Sequence, residues 1–470
     1  MAQHFINRKE ELDFLRERYS SKQAEFIVLY GRRRIGKTEL AVKFSGEAGG
    51  VYYLSTKEGD ATNIQNLSVQ MAAFLGDEAF SDAIYPDWFG LFSAFLKHAH
   101  AQTFLRKKKI VIVIDEFPYL IDGNAAIPSV FQKLWDLLLK KENIMLILSG
   151  SSVSTMETEV LDRKSPLYGR RTGQWRLLPM DFPHLGEFLP RYGFEDLVRV
   201  WFVIGGIPAY LERFSDNLGF FENLREKILR KGAYLYEETD FLLNTEFKEP
   251  KNYKRILKVI SLGNLSFGKI ANAAMMDKGM LSKYLDVLDK LGIIEYRVPI
   301  TATERSKKGI YIIKDPYLNF WFRYVYSRRT DLEALKTAAV LKYVKSDFSK
   351  YSGRMFERFI EDLIRRGHLL EQAGLERLGG WWHGEEEIDI VGLNEEEKKI
   401  LFGECKWSEK VDAAHIIAEL RRKGEFVDWH KGDRDEYYAV FAKSFKNKFK
   451  EKNVLLFDLK DLEKLIGGKK

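Results

Sequence analysis

Cysteine is almost absent from this chain of 470 residues, because Cys405 is the only one. A single cysteine makes no internal disulfide and no CxxC metal pair, so the sequence excludes a disulfide framework, and we expect a reducing, cytoplasmic compartment. The eight histidines show neither HxH nor HExxH spacing, so the sequence does not support a zinc site.

Long apolar runs are also lacking. The longest, such as Ile110–Ile114 and Ile144–Leu148, fall far short of the roughly 20 residues that a membrane-spanning helix needs. The opening residues MAQHFINRKE contain no apolar segment typical of a secretory signal. We therefore expect neither a membrane partner nor export.

The charge is present but unevenly distributed. The whole chain carries 75 Lys and Arg against 68 Asp and Glu, a net charge of +7. Residues 251–350 alone hold 20 Lys and Arg against 9 Asp and Glu, a net charge of +11, whereas residues 351–470 hold 23 against 25. An excess concentrated in one segment predicts a surface that faces an anionic partner such as a nucleic acid.

The first motif follows a short apolar run. Phe26–Tyr30 (FIVLY) predicts a buried strand, and the following GRRRIGKT fits the pattern GxxxxGK(S/T) with a helical stretch after it. Glycines in such a loop let the backbone wrap around phosphates, while the lysine reaches the terminal phosphates and the threonine binds Mg²⁺. The sequence therefore predicts a site for ATP and Mg²⁺ formed by these residues: Gly31, Arg34, Gly36, Lys37 and Thr38.

The apolar run Ile110–Ile114 predicts a second strand that ends in two acidic residues. Ligands of parallel sheets bind at the carboxyl ends of the strands, which is where these residues lie. We expect Asp115 to complete the Mg²⁺ shell and Glu116 to polarise the attacking water.

Further polar residues follow in order. The strand Ile144–Leu148 ends in two candidate sensors of the γ-phosphate, Ser149 and Ser151, and the choice between them stays open. Arg170 and Arg171 come next and are candidates for neutralising transition-state charge, either in the same chain or across a subunit interface. A homo-oligomer or a partner protein is therefore expected as an alternative to a monomer.

From Pro250 onward the pattern changes to short helices followed by two strands around the basic turn TERSKKG. Apolar spacing predicts these elements in the following order: Tyr253–Leu262, a helix opening at Leu265, Gly279–Leu291, Ile294–Pro299 and Ile310–Ile313.

Residues 351–470 begin with a predicted helix, Ser352–Arg366, whose apolar face is bordered by Glu357. Glu387–Val391 then alternates as a strand, a charged turn follows, and Ile400–Trp407 returns as a partner strand.

Charged side chains of this hairpin share one face. Glu404 and Lys406 are two residues apart, while Cys405 points away toward the core, and the hairpin brings Asp389 beside Glu404. Two carboxylates and a lysine suit metal-dependent cleavage of phosphodiesters. We expect Asp389 and Glu404 to bind Mg²⁺ or Mn²⁺, with Lys406 positioning the nucleophile or stabilising charge.

Five segments taken in order resemble the archaeal-type P-loop ATPases of the AAA+/STAND group: GRRRIGKTEL, VIVIDEFPYL, LILSGSS, SPLYGRR and GGIP at residues 205–208. The resemblance implies a helical lid over the nucleotide that contains the GGIP motif. It also implies that residues 5–12 form the element that precedes the P-loop in that group and lies near the base.

The later segments resemble two other families. Residues 250–313 resemble a winged helix, which implies base contacts by Ser282, Lys283 and Tyr284 and phosphate contacts by Arg305, Lys307 and Lys308 on the wing. The last segment resembles the PD-(D/E)XK nucleases, with D-x14-ExK starting at Asp389. The resemblance implies that Glu357, as the glutamate of the first helix, is a further catalytic residue.

Together these observations predict an α/β protein in four parts. They are a P-loop NTPase core with a parallel sheet (1–180), a helical lid (181–249), a winged helix with a helical extension (250–345) and an αβββαβ restriction-endonuclease-like domain (346–470). The expected boundaries lie near Glu249–Pro250 and Ser346–Ser352.

The predicted function is that of an ATP-binding and ATP-hydrolysing protein that binds double-stranded DNA and carries a metal-dependent nuclease domain, in genome defence or maintenance. The alternative is a STAND-like nucleotide switch or scaffold, in which the nuclease-like domain is a non-catalytic docking module. A transcriptional regulator fits less well, because such a protein rarely needs two carboxylate metal sites.

Overall fold

The structure is a computed structural model that describes residues 5–303, 306 and 308–467. The chain forms two compact units. The first comprises the described residues up to Pro179 together with Ile207–Ala209, and the second comprises Met180–Gly206 and the described residues from Tyr210 onward. The four-part division of the sequence stays a prediction.

A parallel sheet lies at the centre of the first unit. Its strands are β1 (Glu25–Tyr30), β2 (Val51–Leu54), β3 (Ile110–Asp115), β4 (Ile144–Gly150) and β5 (Gly173–Arg176). They pair in parallel in the order β2-β3-β4-β1-β5. Strands β1, β3 and β4 are buried along their whole length, as expected for a sheet covered on both faces. The predicted parallel α/β sheet is confirmed.

Helices pack on both faces of this sheet. Phe26 and Val28 of β1 belong to one apolar core, whereas Ile27 and Leu29 belong to a second core on the opposite face. The α-helices of this unit are Lys9–Ser20, Lys37–Ala48, Asp60–Leu75, Ala79–Asp82, Trp88–Lys97, Ala99–Leu105, Phe117–Gly123, Ile127–Leu137 and Val153–Thr155, with a 3-10 turn at Leu139–Lys141 and a π-turn at Met156–Leu161.

The second unit contains three successive helices, Lys251–Ser261, Phe267–Ala274 and Lys278–Lys290, followed by an antiparallel hairpin. The strands of the hairpin are β6 (Ile294–Arg297) and β7 (Ile310–Ile313). These elements match the order that the apolar spacing predicts for this part of the chain.

A mixed sheet follows near the end of the chain. Its strands are β8 (Arg377–His383), β9 (Glu386–Asn394), β10 (Lys399–Lys406), β11 (Asp435–Ala442) and β12 (Val454–Phe457), in the order β12-β11-β10-β9-β8. Neighbours from β8 to β10 are antiparallel, while β10, β11 and β12 run parallel. The helix Ala413–Gly424 connects β10 to β11 and packs on the sheet core through Ile417 and Leu420.

A single long helix, Thr337–Arg365, passes through the boundary expected at Ser346–Ser352, and the helix start expected at Ser352 is wrong. The reason is that one buried apolar face continues through Ser346–Ser352 at spacings of three or four residues, no proline interrupts it, and Gly353 lies inside the helix. The buried residues of this stretch are Val340, Val344, Phe348, Tyr351 and Met355.

The remaining helical segments of the second unit are short or lie before the three-helix segment. They are Phe182–His184, Leu185–Phe188, Phe194–Ile204, Phe220–Asn223, Leu224–Leu229, Tyr234–Glu246, Pro316–Phe320, Trp321–Val325, Tyr326–Arg328, Arg329–Glu333, Glu371–Ala373 and Leu459–Gly467; a further turn, Pro208–Leu211, includes residues of both units.

Candidate functional site

The loop between β1 and the helix Lys37–Ala48 carries the predicted nucleotide motif. Gly36 precedes the helix with a φ of 90°, a conformation that favours glycine. At Gly31 an added Cβ would lie 2.5 Å from the carbonyl oxygen of Leu177, so the loop can follow this path only with glycine there. The free N–H groups at the start of the helix offer a site for an anion such as a phosphate.

Lys37 is buried in this loop, with 5% of its surface exposed. Its Nζ donates a hydrogen bond to the carbonyl oxygen of Arg32 at 2.9 Å. Burial lowers the pKa of Lys37 from 10.5 to about 8, although the charges of Glu116 and Asp115 act in the opposite direction. The loop therefore holds a poorly solvated ammonium group that a phosphate would stabilise.

Thr38 and Asp115 meet at the carboxyl end of β3. Thr38 Oγ1 donates to Asp115 Oδ2 at 2.7 Å, and the hydroxyl of Tyr52 on β2 donates to the same oxygen at 2.9 Å. Burial, followed by the charge of Asp115, raises the pKa of Tyr52, so its hydroxyl stays a donor. Hydroxyl and carboxylate oxygens suit Mg²⁺, and Thr38 and Asp115 therefore fit this cation.

Glu116 lies next to this pair and is held by Ser151. The Ser151 hydroxyl lies 2.6 Å from Oε1 and 2.7 Å from Oε2 of Glu116. Ser149, by contrast, is fully buried within β4, and its hydroxyl has no hydrogen-bond partner among the described residues. The structure thus brings Ser151, the other candidate sensor, to the predicted catalytic carboxylate.

The two candidate arginine residues contact other groups. Arg170 pairs with Asp136 at 2.8 Å and donates to the carbonyl oxygen of Pro166 at 2.9 Å. Arg171 donates to the carbonyl oxygen of Leu161 at 3.2 Å. Their role at the phosphates stays a prediction.

The segment before β1 reaches the nucleotide loop through a buried arginine. Arg8 donates to the carbonyl oxygens of Ile35 at 2.7 Å and Leu178 at 2.8 Å, and it pairs with Glu11 at 2.8 Å. On the other side, the backbone N–H of Ala209 lies 3.5 Å from the carbonyl oxygen of Arg34. These contacts fix the path of the loop from both sides.

The C-terminal sheet brings the second predicted site together in part. Asp389 Oδ2 accepts the backbone N–H of Cys405 at 2.8 Å, and Lys406 Nζ donates to Glu404 Oε1 at 2.7 Å. Lys423, from the helix Ala413–Gly424, approaches the other oxygen of Glu404 at 3.3 Å. Cys405 itself is buried, as predicted.

Burial acts strongly on these charged groups. It raises the pKa of Asp389 to about 7, helped by the nearby charge of Glu404. It also raises the pKa of Glu357 well above its usual value, helped by Asp389 and Glu387. For Lys406, burial lowers the pKa, but the hydrogen bond and charge of Glu404 outweigh it, so the pKa is raised. Carboxylates in such surroundings favour a bound cation or a shared proton.

Glu357, Asp389 and Glu404 are predicted for one site, but they do not form a cluster of three metal ligands. Across residues 5–303, 306 and 308–467, no group of three or more His, Cys, Asp or Glu side chains is arranged to hold a metal ion. The physical reason is that Glu404 is engaged by Lys406 and Lys423, whereas Asp389 is engaged by a backbone N–H. Asp389 and Glu404 as a pair of ligands remain a prediction.

The residues predicted to contact DNA lie on the three-helix segment and its hairpin. Ser282 and Lys283 are exposed, while Tyr284 packs edge-on against Tyr253 with ring centres 4.8 Å apart. The carbonyl oxygen of Lys308 accepts a hydrogen bond from Trp382 Nε1 at 2.9 Å. Arg305 and Lys307 lie outside the described residues.

Three residues were not found by sequence reasoning. Tyr52 lies on a strand without a motif, and only the sheet order places it beside Asp115. No sequence spacing marks Lys423 or Trp382 as a functional residue either, because tertiary packing alone brings them to Glu404 and Lys308.

The parallel sheet, the glycine-containing loop and the Thr38–Asp115 contact place the first unit in the class of P-loop ATPases. Residues 5–214 match a family described as "ATPase domain predominantly from Archaea", and residues 321–417 match one described as "Archaea bacterial proteins of unknown function". Over 461 residues the chain is 38% identical to the uncharacterized protein MJECL04 of Methanocaldococcus jannaschii, covering 97% of this chain and 99% of that protein. The chain therefore belongs to the same family as this relative.

Two further similarities are more limited. A 40-residue stretch, 8% of this chain, is 58% identical to the uncharacterized ATP-binding protein MJ0423 of the same organism and covers 68% of that protein. A structure of the Aeropyrum pernix ORC2 protein (ADPNP-ADP complexes) aligns at 13% identity with a TM-score of 0.34, covering 72% of this chain and 97% of that one. This structural similarity is too low to support an inference about function. None of the described helices is both long and apolar enough to cross a membrane.

Proposed function

We propose that the first unit binds ATP with Mg²⁺ through its P-loop and hydrolyses the γ-phosphate. The observation that carries the proposal is the 2.7 Å contact between Thr38 and Asp115, beside the buried ammonium of Lys37. A bound Mg²⁺ supplies neutralisation of the charge on the β- and γ-phosphates. Lys37 and the N–H groups of the loop bind the phosphate oxygens, and Tyr52 orients the Asp115 carboxylate.

Glu116 orients the attacking water and accepts its proton, while Ser151 sets the direction of the Glu116 carboxylate. This assignment follows from the two short contacts between the Ser151 hydroxyl and the carboxylate oxygens. Binding and hydrolysis are therefore expected to depend on different residues of the same site.

Two substitutions separate binding from hydrolysis. We expect Lys37→Ala to lose nucleotide binding, measured by fluorescent-nucleotide titration, because Lys37 is the only buried cation of the loop among the described residues. Glu116→Gln is expected to keep binding and to slow phosphate release by roughly 10²-fold or more. Lys43→Ala, on the same helix and paired with Glu47, is the matched control. Unchanged ATP affinity in Lys37→Ala would contradict the assignment.

For the second unit we propose metal-dependent cleavage of nucleic-acid phosphodiesters at the C-terminal sheet. The supporting observation is that β9 and β10 bring Asp389 and Glu404 onto neighbouring strands, with Lys406 bonded to Glu404. Their oxygen atoms suit Mg²⁺ or Mn²⁺, and the cation supplies an activated water when bound. Lys406 stabilises negative charge on the phosphate, and Glu357 holds a proton at the edge of the site.

A cleavage assay tests this site with plasmid, linear and single-stranded DNA, with Mg²⁺ or Mn²⁺, with and without ATP. We expect Asp389→Asn and Lys406→Ala to abolish cleavage while the ATPase rate stays unchanged, since Thr38 and Asp115 lie in the other unit. Lys399→Ala, at the far end of β10, is the matched control. Absence of cleavage by the wild type on every substrate would instead support the non-catalytic docking module.

We further propose that the three helices and the β6–β7 hairpin act as a winged helix that binds double-stranded DNA. The exposed Ser282 and Lys283 at the third helix and the net charge of +11 over residues 251–350 support this. Phosphate contacts would supply most of the affinity, and base contacts would come from the start of the third helix.

A further inference from the structure

A cavity of about 230 Å³ lies within the second unit beside the candidate nuclease residues. The hairpin contributes Arg297, Ile310 and Ile312 to its walls, and the long helix contributes Lys350, Arg354 and Glu357. The C-terminal sheet contributes Trp382, Glu387 and Asp389. Two of the proposed catalytic residues, Glu357 and Asp389, therefore line a space that the hairpin helps to enclose.

Direct contacts hold the hairpin against the C-terminal sheet. The backbone N–H of Ile300 donates to the carbonyl oxygen of Gly380 at 3.0 Å, and Trp382 Nε1 donates to the carbonyl oxygen of Lys308 at 2.9 Å. Arg297 pairs with the buried Glu361 at 2.6 Å. A cavity of this volume is far smaller than a nucleic-acid duplex and is suited to one sugar-phosphate unit.

The cations that line this cavity differ in whether they already have partners. Arg297 pairs with Glu361, Arg323 pairs with Asp347, and Arg358 donates to the carbonyl oxygen of Lys314. In the part of the chain that the structure describes, Lys350 and Arg354 are exposed and form neither an ion pair nor a side-chain hydrogen bond. These two therefore remain available to an anion.

Arg354 depends on a glycine for its position. Gly263 has a φ of 97°, and a Cβ added there would lie 2.7 Å from Nη1 of Arg354. The guanidinium group thus occupies space next to the chain between two helices of the three-helix segment. Glu387 and, in its ionised form, Asp389 repel an anion inside the cavity, so phosphates are expected at the side of Lys350 and Arg354.

We propose that this cavity takes a single unpaired nucleic-acid strand, with Lys350 and Arg354 binding phosphates and the half-buried Trp382 stacking against a base. Cations that follow the backbone and an aromatic ring that stacks with bases are the combination that binds single strands. The inference rests on the proposed nuclease function for its chemistry and names the substrate of that site. A duplex bound elsewhere must therefore separate locally before one strand reaches Asp389.

Binding by the full-length protein tests the inference without cleavage, in EDTA, with fluorescent single-stranded DNA, the matching RNA and the DNA duplex. We expect Arg354→Glu to weaken single-strand binding by about 10-fold and duplex binding much less. Lys342 is exposed on the same helix but does not line the cavity. Lys342→Glu is therefore the matched control, and we expect it to change single-strand affinity little. The DNA and RNA arms show which strand is preferred.

Trp382 supplies a second, conservative pair of variants. We expect Trp382→Leu to lose about 5-fold or more in single-strand affinity, because stacking is worth roughly 1–3 kcal/mol per base, while Trp382→Phe keeps most of it. A strand carrying 5-iodouracil should crosslink to Trp382 on irradiation, which mass spectrometry of the peptide detects even if Trp382→Leu fails to fold.

The outcomes separate this inference from the nuclease proposal. Equal losses for single strand and duplex, or no loss in Arg354→Glu together with no crosslink at Trp382, overturn the inference. Selective loss of single-strand binding supports it even if no metal brings about cleavage, and that result would overturn only the nuclease proposal.

Discussion

Lys37 shows, at the scale of one residue, how a binding site opposes folding. The P-loop buries its ammonium group, and the pKa falls from 10.5 to about 8. A shift of this size corresponds to roughly 3 kcal/mol against the charged form. The group therefore destabilises the nucleotide-free protein at neutral pH, and a bound phosphate compensates by interacting with its charge.

We predict that Lys37→Met raises the melting temperature of the nucleotide-free protein at pH 7 while it abolishes ATP binding. Removing the buried charge raises the free energy of unfolding. Loss of the hydrogen bond to the carbonyl oxygen of Arg32 takes back about 1 kcal/mol of this increase. Differential scanning calorimetry of both proteins measures the effect.

The stability advantage of Lys37→Met over the wild type is expected to shrink as the pH rises. Between the folded pKa of about 8 and the unfolded value of 10.5, the unfolded chain binds more protons at Lys37, so the wild type gains stability as the pH rises. The advantage of Lys37→Met is therefore full below pH 8 and disappears toward pH 10.5. An advantage that does not change across this range would contradict the burial of a charged Lys37.

The helix Thr337–Arg365 decides the organisation of the second unit at the scale of one element. This single continuous helix contributes Lys350 and Arg354 to the cavity and Glu357 to the candidate nuclease site. Residues near position 346 therefore couple the middle of the chain to the C-terminal sheet instead of forming a linker.

We predict that Ser346→Pro destabilises the second unit by about 3 kcal/mol or more, because proline removes a backbone hydrogen bond and collides with the preceding turn. Ser346 is exposed, and its hydroxyl bonds only to the carbonyl oxygen of Tyr343 at 2.8 Å among the described residues. Ser346→Ala is the matched control and should leave the stability almost unchanged. A melting curve for Ser346→Pro that matches the wild type would show that this position is a flexible boundary after all.

At the scale of the whole molecule, the charge distribution governs the proposed binding of DNA. The net charge of +11 over residues 251–350 contrasts with the net of +7 for the entire chain. Binding that relies on phosphate contacts releases counterions, so the affinity must fall as salt rises.

We predict a linear fall of log K with log salt concentration for a DNA duplex, measured by fluorescence anisotropy. Lys308→Ala removes one exposed cation of the hairpin and should reduce the slope by about 1, equally for all sequences. Lys399→Ala, outside the basic segment, should leave the slope unchanged. A slope near zero for the wild type would mean that the basic segment does not face nucleic acid.

The sequence by itself determined the local parts of this protein. The apolar runs predict β1, β3 and β4, and the spacing in GRRRIGKT and after Ile114 predicts that Lys37, Thr38 and Asp115 serve one site. Such features are readable because they depend on short-range patterns, namely an apolar strand followed by a polar end.

Only the tertiary structure decided which distant groups meet. It brings three pairs into hydrogen-bonding contact: Tyr52 with Asp115, Ser151 with Glu116, and Trp382 with the carbonyl oxygen of Lys308 in the hairpin. It also joins the residues on both sides of Ser346 into one helix. These features arise from sheet order and from the packing of apolar faces over long sequence separations, and no short-range spacing in the chain encodes them.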